Sequence, residues 1–254
     1  MLQIVKRIIE TGLKIRGLKL VPANKDEPFS PDMEDDFKKI YTLTKPFTMT
    51  SIERMYALYK STQHIVRAKI PGDIVECGVW KGGSAMVSAL TLLQLGITDR
   101  DIYLYDTYEG MSEPTEKDVH FTGTSAKSKW WKSKKQAHNE WCYASIEEVE
   151  ENLAATGYPQ KRIHFIKGPV ESTIPATVPE KISILRLDTD WYDSTYHELI
   201  HLYPLISDNG FLIIDDYGCW QGARDAVNTY FEKDAEPVYL SRIDYTGRLA
   251  IKKS

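Results

Sequence analysis

The stretch Asp73-Ile-Val-Glu-Cys-Gly-Val-Trp-Lys-Gly-Gly-Ser84 joins a short apolar run to a glycine-rich turn and then to an apolar-periodic segment. A second apolar run, Ile102-Tyr-Leu-Tyr105, ends in Asp106. Strand, tight turn, helix and strand in that order make a βαβ unit, which crosses over right-handedly and opens a parallel sheet. In an open α/β sheet the turn lies at the carboxyl end of the first strand, where ligands bind.

The remaining chain keeps this rhythm. The helix from about Gly83 carries Met86, Val87, Leu90, Leu93 and Leu95, and further strands are expected over 163–166, 182–187, 210–214, 237–240 and 248–252. Helices are expected over 145–153, 196–205 and 222–232. The sum is a seven-stranded, Rossmann-like α/β sheet, mostly parallel with an antiparallel terminal hairpin and helices on both faces. Upstream, Thr50-Ser-Ile-Glu53 has capping-box spacing, so a helix starts there and stops before Pro71-Gly72.

Two segments stand outside the pattern. Residues 1–70 read as an N-terminal helical extension: a basic amphipathic helix over 1–19, an extended proline-rich and acidic connection over 21–36, and the capped helix. Residues 110–145 form a polar, lysine-rich insertion with Trp130, Trp131 and Trp141, too long for a simple connection and read as a substrate lid. The 254 residues, 42% hydrophobic and 27% charged, are otherwise expected to make one domain.

A formal charge of −4 gives no general case for nucleic acid as a partner, local basic patches aside. The amphipathic N-terminus lacks both a signal-peptide core and a membrane-spanning run, so packing on the domain or on a second subunit is expected rather than membrane attachment. Cys77, Cys142 and Cys219 lack disulfide or zinc-ligand spacing and read as reduced thiols. A cytoplasmic protein, homo-oligomeric through its apolar helix or its hairpin, is the corresponding expectation.

The chemistry collects at the strand tips. Glu76 and Gly78 end the first strand, Gly82 and Gly83 let backbone approach a ligand, and Asp106 ends the second strand where a carboxylate can bind a ribose diol. The run is not Gly-x-Gly-x-x-Gly, and an acidic Glu76 before the glycines suits a cationic ligand such as a sulfonium nucleoside better than a pyrophosphate. The alternative is a tight turn with an internally paired glutamate.

Asp188 and Asp190 follow the fourth strand, and Asp215 and Asp216 follow the fifth. Carboxylates converging on one crevice repel unless a cation sits among them, and a hard divalent ion, Mg²⁺ before Ca²⁺, meets that need. Helix capping, or pairing with Arg186 and Arg224, is the competing reading. His197 and His201 share a helix face, but no third metal ligand presents itself.

Together, Val75-Glu-Cys-Gly-Val-Trp-Lys-Gly-Gly-Ser84, Tyr105-Asp-Thr-Tyr-Glu-Gly110, Leu187-Asp-Thr-Asp-Trp-Tyr-Asp-Ser-Thr195 and Ile213-Ile-Asp-Asp-Tyr217 closely resemble the macrocin O-methyltransferase family, from about Thr48 to the C-terminus. The resemblance implies a class I fold dependent on S-adenosylmethionine and Mg²⁺-dependent methylation of a sugar hydroxyl on a small-molecule glycoside. It implies that Glu76, Gly78 and Ser84 contact the methionine moiety, Asp106 the ribose, and that Gly168 borders the adenine. Asp188, Asp215 and Asp216 would match the metal ligands and Asp190 the general base. A catechol-type O-methyltransferase, an NAD-dependent oxidoreductase and a non-catalytic cofactor-binding module remain the rivals.

Overall fold

The computed structural model describes residues 29–253. The helix expected over 1–19 lies outside the described residues. The strands are β1 (Asp73–Cys77), β2 (Ile102–Asp106), β3 (Ile163–Lys167), β4 (Ile182–Leu187), β5 (Ile206–Ile214), β6 (Ser241–Arg242) and β7 (Arg248–Ile251). They form one sheet in the order β3-β2-β1-β4-β5-β7-β6. The first five are parallel, and β7 runs antiparallel between β5 and β6.

This order reverses direction at β1. The chain builds outward through β2 to β3, then returns to place β4 on the other side of β1. The crevice between the carboxyl ends of β1 and β4 is therefore the topological switch point. Backbone bonds run to the tips: the Asp188 N–H donates to Cys77 O at 2.8 Å, and the Asp215 N–H to Leu187 O at 2.9 Å.

The helices are α1 (Asp35–Thr44), α2 (Ile52–Arg67), α3 (Gly83–Gln94), α4 (Ala126–Ser133), α5 (Ile146–Ala154), α6 (Val170–Thr173), α7 (Tyr192–Leu202) and α8 (Gln221–Lys233). Of Thr50 and Ser51, the two caps the sequence leaves open, Ser51 caps α2 by accepting from the Arg54 N–H at 3.2 Å, and Glu53 lies in the first turn. Ser145 caps α5 in the same way. Among the described residues no helix is long and apolar enough to cross a membrane.

Every residue of β4 is buried, as a central parallel strand requires. Its Ile182, Leu185 and Leu187 join Val75, Leu199, Leu202 and Leu212 in the core between the sheet and α7 and α8. Arg186 is the exception in this apolar run: it is only 3% exposed, and a buried cation requires partners.

Three expectations are corrected. Residues 35 and 36, assigned to an extended connection, begin α1, where carboxylates in the first turn suit the helix dipole. Pairing of the sixth strand starts at Ser241, not over 237–240. The register is set by Asp244, whose Oδ1 accepts from the N–H groups of Thr246 (2.9 Å) and Gly247 (2.6 Å), and only the residues next to that turn join β7. Val238 and Leu240 pack on the core without joining a ladder. Residues 110–145 contain α4, which the polar composition hid.

Gly83, at the first position of α3, has the backbone of Phe47 lying across it, and a Cβ there would sit 2.5 Å from Phe47 O. Gly83→Ala is expected to cost about 1–3 kcal/mol as overpacking, read as a lower urea midpoint with an unchanged slope.

Candidate active site

A single cavity lies over the β1/β4 crevice. Gly78, Gly83, Ser84, Asp106 and Gly168 line one part of it, and Asp188, Asp190, Asp215 and Asp216 line another. Parallel strands deliver these residues to one edge although they are far apart in sequence. The approach is close at Gly78, whose φ is +83° and where a Cβ would meet Asp188 O at 2.0 Å. Only glycine lets the two loops touch.

Two of the expected residues stand outside the lining. Glu76 is 3% exposed and is held by Arg186 Nη1, which donates to its Oε1 at 2.7 Å. That is the paired-glutamate arrangement the sequence left as an alternative. Burial pushes its carboxyl up to about 7, with Arg186 pulling the other way. Gly82 has φ +86° and faces Leu153 and Val149 of α5.

Asp106 shapes the glycine turn. Its Oδ2 accepts from the N–H groups of Val79 (2.6 Å) and Trp80 (3.1 Å), and its Oδ1 from that of Tyr108 (2.8 Å). Burial raises its carboxyl despite these bonds. It lines the cavity; Oδ2 is saturated by its two N–H bonds, and Oδ1, with the Thr107 hydroxyl only loosely placed at 3.4 Å, is the oxygen that can accept from a ligand hydroxyl.

Around Asp188, Asp215 and Asp216, one carboxylate oxygen from each residue lies within 4.8 Å of the others. Two arginines reach the same cluster. Arg186 Nη1 donates to Asp188 Oδ2 at 2.8 Å, and its Nη2 to Asp215 Oδ1 at 2.5 Å and to Thr50 Oγ1 at 3.1 Å. Arg54, from α2, pairs with Asp215 Oδ2 and donates to Asp244 Oδ2 at 3.0 Å. The cationic charge assigned from sequence to a divalent ion is thus met in part by protein, and Arg224 is not its source: it donates to Tyr217 O.

Asp216 remains uncompensated. Its Oδ2 is sealed from solvent with no hydrogen-bond partner among the described residues. Burial and the facing Asp190 hold its carboxyl well above the ordinary range. An all-oxygen set with one orphaned buried oxygen fits a hard divalent cation. Burial, reinforced by Asp188 and Asp215, pushes Asp190 up to about 7, with the adjacent Asp216 pulling the other way.

The insertion is fastened over this side of the cavity. Trp130 and Trp141 pack with Trp191 and Trp220, the residues preceding α7 and α8, and the Trp191 and Trp220 rings lie 5.0 Å apart. Trp191 Nε1 donates to Ser112 O at 3.1 Å, and buried Asp118 accepts from the Tyr192 N–H at 2.9 Å. Met111, Ser112 and Cys142 of the insertion line the cavity beside Asp190. Trp131 alone of the three insertion tryptophans is exposed. All three cysteines are free thiols. His197 donates to Ile174 O at 2.9 Å, away from any metal set.

Sequence reasoning missed Arg54 and Asp118, and it weighed Arg186 only as a competitor. A lone arginine in a six-residue buried strand was a readable signal. Arg54, on an amphipathic helix, had none.

Residues 25–251 match the family model described as Macrocin-O-methyltransferase (TylF), so the similarity starts upstream of Thr48, where the recognised motifs begin. The chain is 32% identical over 200 residues to 8-demethyl-8-(2,3-dimethoxy-alpha-L-rhamnosyl)-tetracenomycin-C 4'-O-methyltransferase of Streptomyces olivaceus, covering 79% of this chain and 73% of that protein. It is 29% identical over 206 residues to mycinamicin III 3''-O-methyltransferase of Micromonospora griseorubida, covering 80% and 78%. Among solved structures, the O-methyltransferase NovP superposes with a TM-score of 0.72 at 27% identity, covering 82% of this chain and 83% of that one.

Proposed function

We propose, from the premise that this chain belongs to the macrocin O-methyltransferase family, that it methylates a sugar hydroxyl of a glycosylated natural product, using S-adenosylmethionine and Mg²⁺. Family membership makes it an O-methyltransferase and sets aside the oxidoreductase and non-catalytic readings. The observation that carries the finer reading is the juxtaposition in one cavity: a glycine turn at the tip of β1 and, across it, Asp190 beside three convergent carboxylates.

The chemistry divides between the two parts. Backbone at Gly78 and Gly83, the Ser84 hydroxyl and Asp106 receive the donor, and Gly168 borders the far end of its nucleoside. Asp188, Asp215 and Asp216 would hold Mg²⁺, which supplies the positive charge that makes a neighbouring hydroxyl more acidic. Asp190 takes the proton from the acceptor hydroxyl as the new C–O bond forms and the C–S bond of the donor breaks. The insertion covers the acceptor side, where Met111, Ser112 and Cys142 line the cavity and the buried Trp130 and Trp141 fasten the segment to Trp191 and Trp220.

The test supplies the purified protein with S-adenosylmethionine and Mg²⁺ and a panel of deoxysugar glycosides, with simple catechols in parallel. A glycoside product heavier by one methyl, lost on chelation and restored by Mg²⁺, is the expected result. Methylation of catechols with every glycoside inert would overturn the substrate class, and full activity after exhaustive chelation would overturn the metal.

A further inference from the structure

We propose that Glu198 is a positioning residue: a buried strut that ties the end of β1 to the loop carrying Asp190, and so holds the donor and acceptor halves of the site in register. Glu198 lies on α7 and is 0% exposed. Its neighbours on that helix, Leu199 and Leu202, are core residues, and a carboxyl group among them needs a reason.

Its two oxygens face two different elements. Oε2 accepts from the Thr189 hydroxyl at 3.1 Å. Oε1 has no solvent contact and no hydrogen-bond partner among the described residues, and the Cys77 thiol at the last position of β1 lies close enough to the carboxyl for each to influence the other electrostatically. Thr189 lies between Asp188 and Asp190, and Cys77 immediately precedes the glycine turn. One side chain thus touches both sides of the crevice from beneath.

The loop above needs such an anchor. Asp190 has a φ of +68°, a conformation uncommon for any residue with a Cβ. Such a turn persists only where its surroundings over-determine it. The Trp191 N–H donates to Thr189 O at 2.8 Å and the Asp188 N–H to Cys77 O at 2.8 Å, so the backbone is fixed on two sides. The half-buried Thr189 lines the cavity, and its hydroxyl reaches back to Glu198 beneath the loop. Burial holds the Glu198 carboxyl well above the ordinary range, and glutamine is its close isostere.

This inference rests on the reading of Asp190 as the base, and its test separates the two. Glu198→Leu removes an orphaned buried oxygen but leaves the half-buried Thr189 hydroxyl without its acceptor, so a small loss of stability accompanies the change. The expected result is a kcat lower by roughly 10- to 100-fold, because a displacement of about 1 Å at the reacting group carries that cost. Calorimetric affinity for S-adenosylmethionine should stay at the wild-type value, and the Tm should fall by no more than Thr189→Val lowers it. Glu198→Gln should restore most of kcat, Thr189→Val should reproduce the loss, and the double variant Glu198→Leu/Thr189→Val should be no worse than either single change.

Hydrogen exchange across residues 187–192, which needs no turnover, should quicken in Glu198→Leu and in Thr189→Val but not in Glu198→Gln. Unchanged exchange there, a wild-type kcat in Glu198→Leu, or a Glu198→Gln variant as slow as Glu198→Leu would each overturn the strut. A fully active Asp190→Asn variant with the exchange pattern as expected would overturn the base and leave the strut standing.

Discussion

Asp190→Asn is expected to lower kcat by about 10²- to 10⁴-fold while S-adenosylmethionine still binds, the range that loss of a positioned general base produces. Asparagine is the informative replacement. It tolerates positive φ better than other residues with a Cβ, so the turn at +68° survives. Its amide has the shape of the carboxyl and stands beside Asp216 as Asp190 does, so the carboxylate cluster keeps its shape. What the amide cannot do is accept a proton.

The pH profile supplies the second arm of this prediction. Burial, with Asp188 and Asp215 nearby, pushes the Asp190 carboxyl up to about 7. A base works in its deprotonated form, so activity should be present above that value and be lost as pH falls through it. A cation held by Asp188, Asp215 and Asp216 favours the ionised form and moves the limb to lower pH as Mg²⁺ is raised. The residual rate of Asp190→Asn should lack this limb. A rate near wild type at saturating Mg²⁺, or a variant that keeps the limb, would show that another group takes the proton.

Asp190 was legible because the rules that place it are local. An apolar run long enough for a strand, followed at once by Asp-Thr-Asp, puts those carboxylates at a strand tip, and parallel topology sends all such tips to one edge. Asp106, Asp215 and Asp216 follow from the same reasoning. Glu76 did not, because its partner is Arg186 on β4, 110 residues away, and nothing in the glycine turn discloses a cation directly behind it.

Helix α4 within the insertion was hidden for a related reason. Its lysines dominate the composition, but Trp130 and Trp141 are buried by Trp191 and Trp220, which belong to other elements. Long-range burial leaves no mark in the polar segment itself. The sixth strand shifted because alternation over 237–240 resembles a ladder, whereas the turn at Asp244 sets where pairing begins. Helix α1 was hidden by the proline-rich composition just ahead of its acidic first turn.

Arg186→Leu is expected to be the most destabilising single substitution at this site, costing about 3–5 kcal/mol, the cost of breaking a buried ion pair from one side. Arg186 is 3% exposed and holds Glu76, Asp188 and Asp215 within 2.7, 2.8 and 2.5 Å, so solvent screening offers little relief. Leucine suits the strand, which is why the loss isolates the charge. For a chain of this size that is a fall in Tm of roughly 10 °C.

The cost lies in the carboxylates left behind, not in the missing guanidinium, and this gives the prediction its control. Glu76→Gln in the same protein removes the partner that lies farthest from the cavity lining, so the double variant should recover part of the stability lost by Arg186→Leu, a non-additivity that a double-mutant cycle measures directly. Mg²⁺ should raise the Tm of Arg186→Leu by more than it raises that of the wild type, since Asp188 and Asp215 then lack the counter-charge that Arg186 supplied. An Arg186→Leu protein as stable as wild type, or a double variant less stable than the sum of its singles, would mean that the carboxylates are neutralised by some route other than the arginine at their centre.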